Sequence, residues 1–289
     1  MNDKLKFSVA DHLFSIETSD RVLNTKMMSN YVPFHVRNDV HRDFLFNLKG
    51  NEKVHLPNIP SDDILELNGA KYKIYNTPDG VVVSVKQDDK EHRFFASSDW
   101  REIVSDLTFI DEREVTFLNS FLRIAFGMSS IQRYKTIKIH ASVTELNGKA
   151  LVFLGKSGTG KSTHSRLWRE YVPGCTLLND DEPLVRVFEN KVQVYGAPWS
   201  GSTPCYRNES AEVVAFVHLY QSPENKLTNL KSVKALSSLY TSAAMLRSDI
   251  ENKNRVLDVI TEILERVPVY RLDCRADYEA VSLTRSLLP

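Results

Sequence analysis

Apolar and polar positions alternate over much of the first hundred residues, most clearly in KYKIYNTPDGVVVSVKQDDKEHRFFAS, residues 71–97. Three runs of β-branched and aromatic residues are separated there by Pro78-Asp79-Gly80 and by Asp88-Asp89. Period-two alternation bounded by turn residues predicts short strands. From residue 111 the period changes: Val115, Leu118, Phe121, Leu122 and Ala125 share one helical face. This pattern predicts an amphipathic helix over 111–127 that links two units and ends near Gly127. TIKIHASV (136–143) and ALVFL (150–154) follow as strands, joined through Asn147-Gly148, the dipeptide that best favours a type I′ hairpin turn. Further strand-like segments at 176–179, 184–188, 192–195 and 213–220 imply a large sheet. Val256, Ile260, Ile263 and Val267 mark a helix, VYRLDC a strand, and 276–287 a last short helix.

A chain of 289 residues exceeds the usual single-domain length of about 100–200 residues. The expected division is a β-rich N-terminal domain over 1–110 and a linking helix with an α/β domain over 111–289. Lys+Arg and Asp+Glu balance at 37 each and hydrophobic residues make up 42%, so no net charge draws nucleic acid or an anionic membrane. The longest apolar-rich stretch, AEVVAFVHLY (211–220), is far short of the roughly 20 residues that cross a bilayer. It reads as a buried strand. The opening residues alternate and carry no secretion-signal pattern. Cys175, Cys205 and Cys274 are scattered and odd in number, which fits a reducing cytoplasm and offers no zinc spacing.

LGKSGTGKST matches G-x-x-x-x-G-K-[ST] after an apolar strand and before a helix-compatible segment, the context that a phosphate loop requires. The expected nucleotide-binding residues are Gly155, Lys156, Ser157, Gly158, Thr159, Gly160, Lys161, Ser162 and Thr163. Glycines let the backbone wrap an anion with its N–H groups inward, and the following helix adds the positive end of its dipole. Lys161 would neutralise the β and γ phosphates of ATP, and Ser162 would offer a hydroxyl to Mg²⁺.

TLLNDDEPLV, residues 176–185, sets Asp180 and Asp181 side by side after an apolar run. Neighbours on a strand face opposite ways, so both serve one site only where the strand ends, and Pro183 suits such an end. One carboxylate would then hold the metal and the other would receive the proton of an attacking hydroxyl. Alternatively, one of the two caps the next turn.

HAS at 140–142, GKSGTGKS at 155–162 and NDD at 179–181 resemble the catalytic domain of HPr kinase/phosphorylase over roughly residues 135–220. His140 precedes Gly155 by 15 positions and Asp180 follows it by 25, close to that family's spacing. The loop and the acidic pair are also similar to phosphoenolpyruvate carboxykinase, which shares the fold. By itself a histidine in an apolar strand is ordinarily a hydrogen-bonded core residue. The resemblance implies an active-site role for His140 and Lys161, Asp180 as proton acceptor and Ser162 as magnesium ligand, while a neutral Gln193 where the family has a glutamate would leave more of the metal binding to Asp181 and the phosphates. It also implies an α/β fold with a mixed sheet. Three departures stand out. Gln193 and Tyr195 of VQVYG stand where the family has ExRG, Thr163 replaces a glutamate, and Arg247 is only a distant match to the segment for phosphate removal. The β-rich first hundred residues also differ from that family's usual N-terminal domain.

GAPWSGSTPCYRN, residues 196–208, reads as an ordered loop. Gly196, Trp199, Gly201 and Arg207 would line the site beside the phosphates, or serve structure alone. Trp168 and Trp100 read as buried aromatic mass. The function expected is an ATP-dependent kinase acting on a hydroxyl, a serine of a protein or peptide. A small-molecule kinase and a nucleotide-dependent binding module are the alternatives, the last favoured by Gln193 in place of an acidic ligand.

Overall fold

Alternation in the first third of the chain becomes one mixed sheet. Its strands are β1 (Lys4–Val9), β2 (His12–Glu17), β3 (Phe44–Lys49), β4 (Asp63–Leu67), β5 (Ala70–Thr77), β6 (Gly80–Gln87), β7 (Lys90–Ser97) and β8 (Glu102–Ser105). They lie in the order β1-β2-β3-β8-β7-β6-β5-β4. The three strands expected within 71–97 are β5, β6 and β7, paired antiparallel. Gly80 is required at its turn, because a Cβ there would meet the Ala96 carbonyl oxygen at 2.0 Å. A short helix, α1 (Asp20–Leu23), follows β2. The computed structural model describes residues 4–288 apart from 19, 24, 38–42, 68, 202 and 247, so Arg247 lies outside the described residues.

The amphipathic helix is α2 (Val115–Arg133). It runs through Gly127, where the sequence pattern ended it. Glycine inside a helix costs about 1 kcal/mol relative to alanine, but Phe126, Met128 and Ile131 on either side are buried, and that burial outweighs the propensity. Phe121 packs on Phe94 with ring centroids 4.8 Å apart, and Phe126 on Phe14 at 6.2 Å. These contacts make α2 part of the first unit, which comprises residues 1–133 together with 245–253. Within that unit the Ser248 amide donates to Asp63.

The second unit comprises 134–244 and 254–289. Its strands are β9 (Thr136–Lys138), β10 (Ala141–Leu146), β11 (Lys149–Leu154), β12 (Thr176–Asp181), β13 (Leu184–Val187), β14 (Val192–Tyr195), β15 (Ser210–Gln221), β16 (Lys226–Leu230) and β17 (Val269–Cys274). They form a mixed sheet in the order β12-β10-β11-β15-β14-β13-β9, with β17 beside β15 and β16 beside β17. The turn at Asn147-Gly148 has positive φ at both residues, 52° and 76°, the conformation of a type I′ turn. The single strand expected over 136–143 divides instead. β9 pairs with β13 and β10 with β11, and His140 falls in the break.

The helices are α3 (Lys161–Tyr171), α4 (Ser232–Ser242), α5 (Ile250–Leu264) and α6 (Tyr278–Arg285). Val267, assigned to the helix by periodicity, lies past the end of α5 and is buried. Leu151, Phe153, Leu167, Trp168, Val217 and Leu272 belong to one buried cluster. Trp168 Nε1 donates to Thr284 Oγ1 at 2.9 Å, fixing α3 to α6.

Candidate functional site

β11 ends at Leu154 and α3 begins at Lys161, so the glycine-rich loop spans the gap between a buried strand and a helix N-terminus. Gly155, Gly158 and Gly160 all have positive φ, at 146°, 80° and 102°. At Gly155 a Cβ would sit 2.5 Å from Thr159 Oγ1. No side chain caps α3 at Gly160, leaving the first-turn amides to an anion. Thr159 closes the loop by donating its amide and hydroxyl to the Lys156 carbonyl. Lys156, Ser157 and Gly158 are exposed, and Thr163 is half-buried in the first turn of α3.

Lys161 is only 8% exposed. Its Nζ reaches His140 Nε2 at 2.9 Å, the Gly155 carbonyl at 2.9 Å and the Lys156 carbonyl at 3.3 Å. Burial pushes the Lys161 ammonium below its usual pKa, opposed by the Asp180 and Asp181 carboxylates. An ammonium only donates, so His140 Nε2 accepts. The network thereby assigns the proton to Nδ1, which faces Asp181 Oδ1 at 3.5 Å. The backbone amide of His140 donates to the Ser242 carbonyl at 2.8 Å, holding the break between β9 and β10 in place.

β10 lies between β11 and β12, with Ala141 opposite Asp181 and Ser142 opposite Asp180. That register brings the acidic pair to the loop. Ser162 Oγ donates to Asp180 Oδ1 at 2.9 Å. Asp180 is 4% exposed, and its Oδ2 is buried without a hydrogen-bond partner among the described residues. Such an oxygen is costly unless a cation or donor meets it. Ser162 Oγ and Asp180 Oδ2 are hard oxygen donors, and magnesium takes one or two protein oxygens and completes its shell with phosphates and water. The residues present fit that ion. No cluster of three or more His, Cys, Asp or Glu side chains forms a metal site among the described residues.

The segment 196–208 runs along β12, the outer strand of the sheet. Trp199 is buried, its indole donates to the Glu182 carbonyl at 2.6 Å and its own carbonyl accepts from Asn179 at 3.0 Å. Arg207 donates to Thr176 Oγ1 and to the Leu177 carbonyl, both at 2.8 Å, and pairs with Glu209. Arg207 thereby meets polar groups of β12, an edge strand whose backbone needs partners, and Trp199 bonds to the Glu182 carbonyl just past the end of that strand. Gly196 is held by close approach, its hypothetical Cβ falling 2.0 Å from the Arg207 carbonyl oxygen. Gly201 reaches the acidic pair: its amide donates to the Asp180 carbonyl, and a Cβ there would lie 2.8 Å from that oxygen. Gln193 accepts from the Tyr195 hydroxyl at 3.0 Å.

One group of residues near the loop was missed in the sequence. His218, Tyr220 and Gln221 close β15, and Gln221 Nε2 donates to the Gly158 carbonyl at 3.3 Å. The only signal for them was alternation in VHLYQ, which does not say which strand neighbours the loop.

The profile of one family, the SynChlorMet cassette protein ScmC, matches residues 103–279, more than half of the sequence. The chain belongs to the ScmC family. The family match is thus to ScmC, where the motif resemblance points to HPr kinase/phosphorylase. Among solved structures, the HPr(Ser) kinase/phosphatase from Coxiella burnetii is similar at 11% identity, covering 52% of this chain and 87% of that one with a TM-score of 0.32. At that score the likeness carries no functional argument. No curated protein matches the chain. Among its described residues no helix is long and apolar enough to cross a membrane.

Proposed function

We propose that this protein is an ATP-dependent kinase that moves the γ-phosphoryl group to a hydroxyl, a serine of a protein or peptide. The observation that carries the reading is the hydrogen bond from Ser162 to Asp180, beside an uncapped helix N-terminus, with one buried Asp180 oxygen left without a partner among the described residues. ATP would place its phosphates against the loop amides, and Lys161 would turn from the Gly155 and Lys156 carbonyls to meet them. Ser162 and Asp180 would hold Mg²⁺, which when bound neutralises phosphate charge.

The resemblance made Asp180 the proton acceptor. Its burial and its bond to Ser162 favour the reverse division, with Asp181 receiving the proton. Asp181 is the more exposed of the two and stands beside His140, whose Nδ1 proton would orient it. As the acceptor oxygen bonds to the γ phosphorus, the bond to the bridging oxygen breaks, ADP leaves, and the hydroxyl proton passes to the Asp181 carboxylate.

A second reading, a nucleotide-dependent binding module, is favoured by Gln193, a neutral amide already engaged by Tyr195. Incubation with γ-labelled ATP, Mg²⁺ and an extract of its own cells, followed by separation of macromolecules from metabolites, tests the readings. Label in a protein or peptide supports the proposal, and label in metabolites makes this a small-molecule kinase. Heat protection by nucleotide with no transfer supports the binding module.

A further inference from the structure

β15 lies parallel to β11, with Leu154 in register with His218, so the end of β15 emerges beside the phosphate loop. A Cβ on Gly155 would come within 3.4 Å of the Leu219 carbonyl oxygen, and Gln221 bonds to Gly158. His218 and Tyr220, two apart on one strand, share a face, with ring centroids 4.9 Å apart and planes at 22°. From β17, the guanidinium carbon of Arg271 sits 4.1 Å from the centroid of the Tyr220 ring.

This stack is fixed from within the protein. Asp273 accepts from Arg271 Nε through both carboxylate oxygens, at 3.0 and 2.9 Å, and from Nη2 at 2.6 Å. His218 Nδ1 lies 2.7 Å from Ser238 Oγ on α4. Burial, with Lys161 and Arg271 nearby, holds the His218 imidazole below its usual pKa, so it adds no charge against the guanidinium at neutral pH. The stack is open to solvent and so accessible to a ligand: Tyr220 is 39% exposed and the Arg271 side chain 44%.

The acidic pair stands at the end of β12, on one side of β11, and Tyr220 and Arg271 stand on the other. A triphosphate whose γ end faces the acids sends its nucleoside toward β15 and β17. We infer that the Tyr220–Arg271 stack at the ends of β15 and β17 is the platform on which the nucleobase lies. The inference rests on the reading that the loop holds nucleotide phosphates. Stacking on an aromatic ring and a guanidinium needs no particular base edge, because every base has a π-face.

Calorimetric titration of Mg-ATP and of Mg-tripolyphosphate into the full chain separates the two ideas, since only ATP carries a base. Tyr220→Ala is expected to weaken ATP by roughly tenfold or more while leaving tripolyphosphate unchanged, and Tyr220→Phe is expected to keep both. Retained tripolyphosphate binding shows that the variant is folded. Should Tyr220→Ala not fold, Arg271→Lys keeps the charge and removes the planar stack, with the same selective loss of ATP expected. Unchanged ATP affinity in the variants, or equal loss of both ligands, overturns the platform. If the wild-type chain binds tripolyphosphate as tightly as ATP, the base contributes nothing and the platform is again overturned. Failure of the wild-type chain to bind tripolyphosphate at all removes the phosphate-loop reading itself, and the platform with it.

Discussion

Ser162, at the start of α3, donates its hydroxyl to Asp180 Oδ1 at the end of β12 across 2.9 Å. The contact joins the phosphate-loop motif to the acidic pair, and it exists because β10 lies between β11 and β12 and brings their ends level. The two acids differ in partner, Asp180 turned to the loop serine and Asp181 to His140.

Asp180→Asn replaces a buried carboxylate, one oxygen of which has no partner among the described residues, with an uncharged amide. Magnesium should then no longer strengthen ATP binding, and transfer should be lost. Titration of ATP with and without Mg²⁺ reads this directly. A variant with undiminished magnesium dependence would remove Asp180 from the metal site.

Asp181→Asn and His140→Gln act on the other arm. Each should leave Mg-ATP affinity unchanged while lowering transfer by roughly a hundredfold or more, the usual contribution of a positioned base. Equal effects of Asp180→Asn and Asp181→Asn on nucleotide binding would refute the division of labour.

Gly201→Ala places a methyl group 2.8 Å from the Asp180 carbonyl oxygen. Overpacking of this kind costs about 1–3 kcal/mol, so a lower melting temperature should accompany lost activity. Trp199→Phe removes the indole donor to the Glu182 carbonyl and should lower stability with a smaller effect on transfer. The comparison is made by thermal melting alongside the transfer assay.

Much of this site was legible in the sequence because it depends on local chemistry. The glycines fix the loop, Asn147-Gly148 fixes the hairpin, and Pro183 marks the end of the acidic strand. What was not legible depends on contacts between distant segments. Trp199 and Arg207 are as suited to lining a ligand as to covering a strand edge, and the sequence does not say that their segment bonds along the outer strand β12. His140 reads as part of a continuous strand until β9 turns away to pair with β13. Tyr220 and Arg271, 51 positions apart in the sequence, meet only because β15 and β17 pair. Gly127 reads as a helix end from propensity, which says nothing of the burial of Phe126, Met128 and Ile131 that carries α2 past it.

His164 supplies a pH dependence distinct from catalysis. Burial lowers its pKa to about 4 from 6.5, with Asp277 opposing. The unfolded chain takes up a proton between those values and the folded one does not, so the stabilisation is complete above pH 6.5 and is lost as pH falls toward 4. The shift corresponds to about 3 kcal/mol. His164→Leu should flatten stability against pH in that window, measured by denaturant titration. An unchanged slope would show that another group is responsible.

The central claim is that the glycine-rich loop and Lys161 receive the phosphates of a nucleotide. Thermal melting with and without Mg-ATP, in the wild-type chain and in Lys161→Ala, tests it most directly. Mg-ATP should raise the melting temperature of the wild-type chain, and Lys161→Ala should abolish or sharply reduce that rise. An equal rise in both, or none in the wild-type chain, would contradict it.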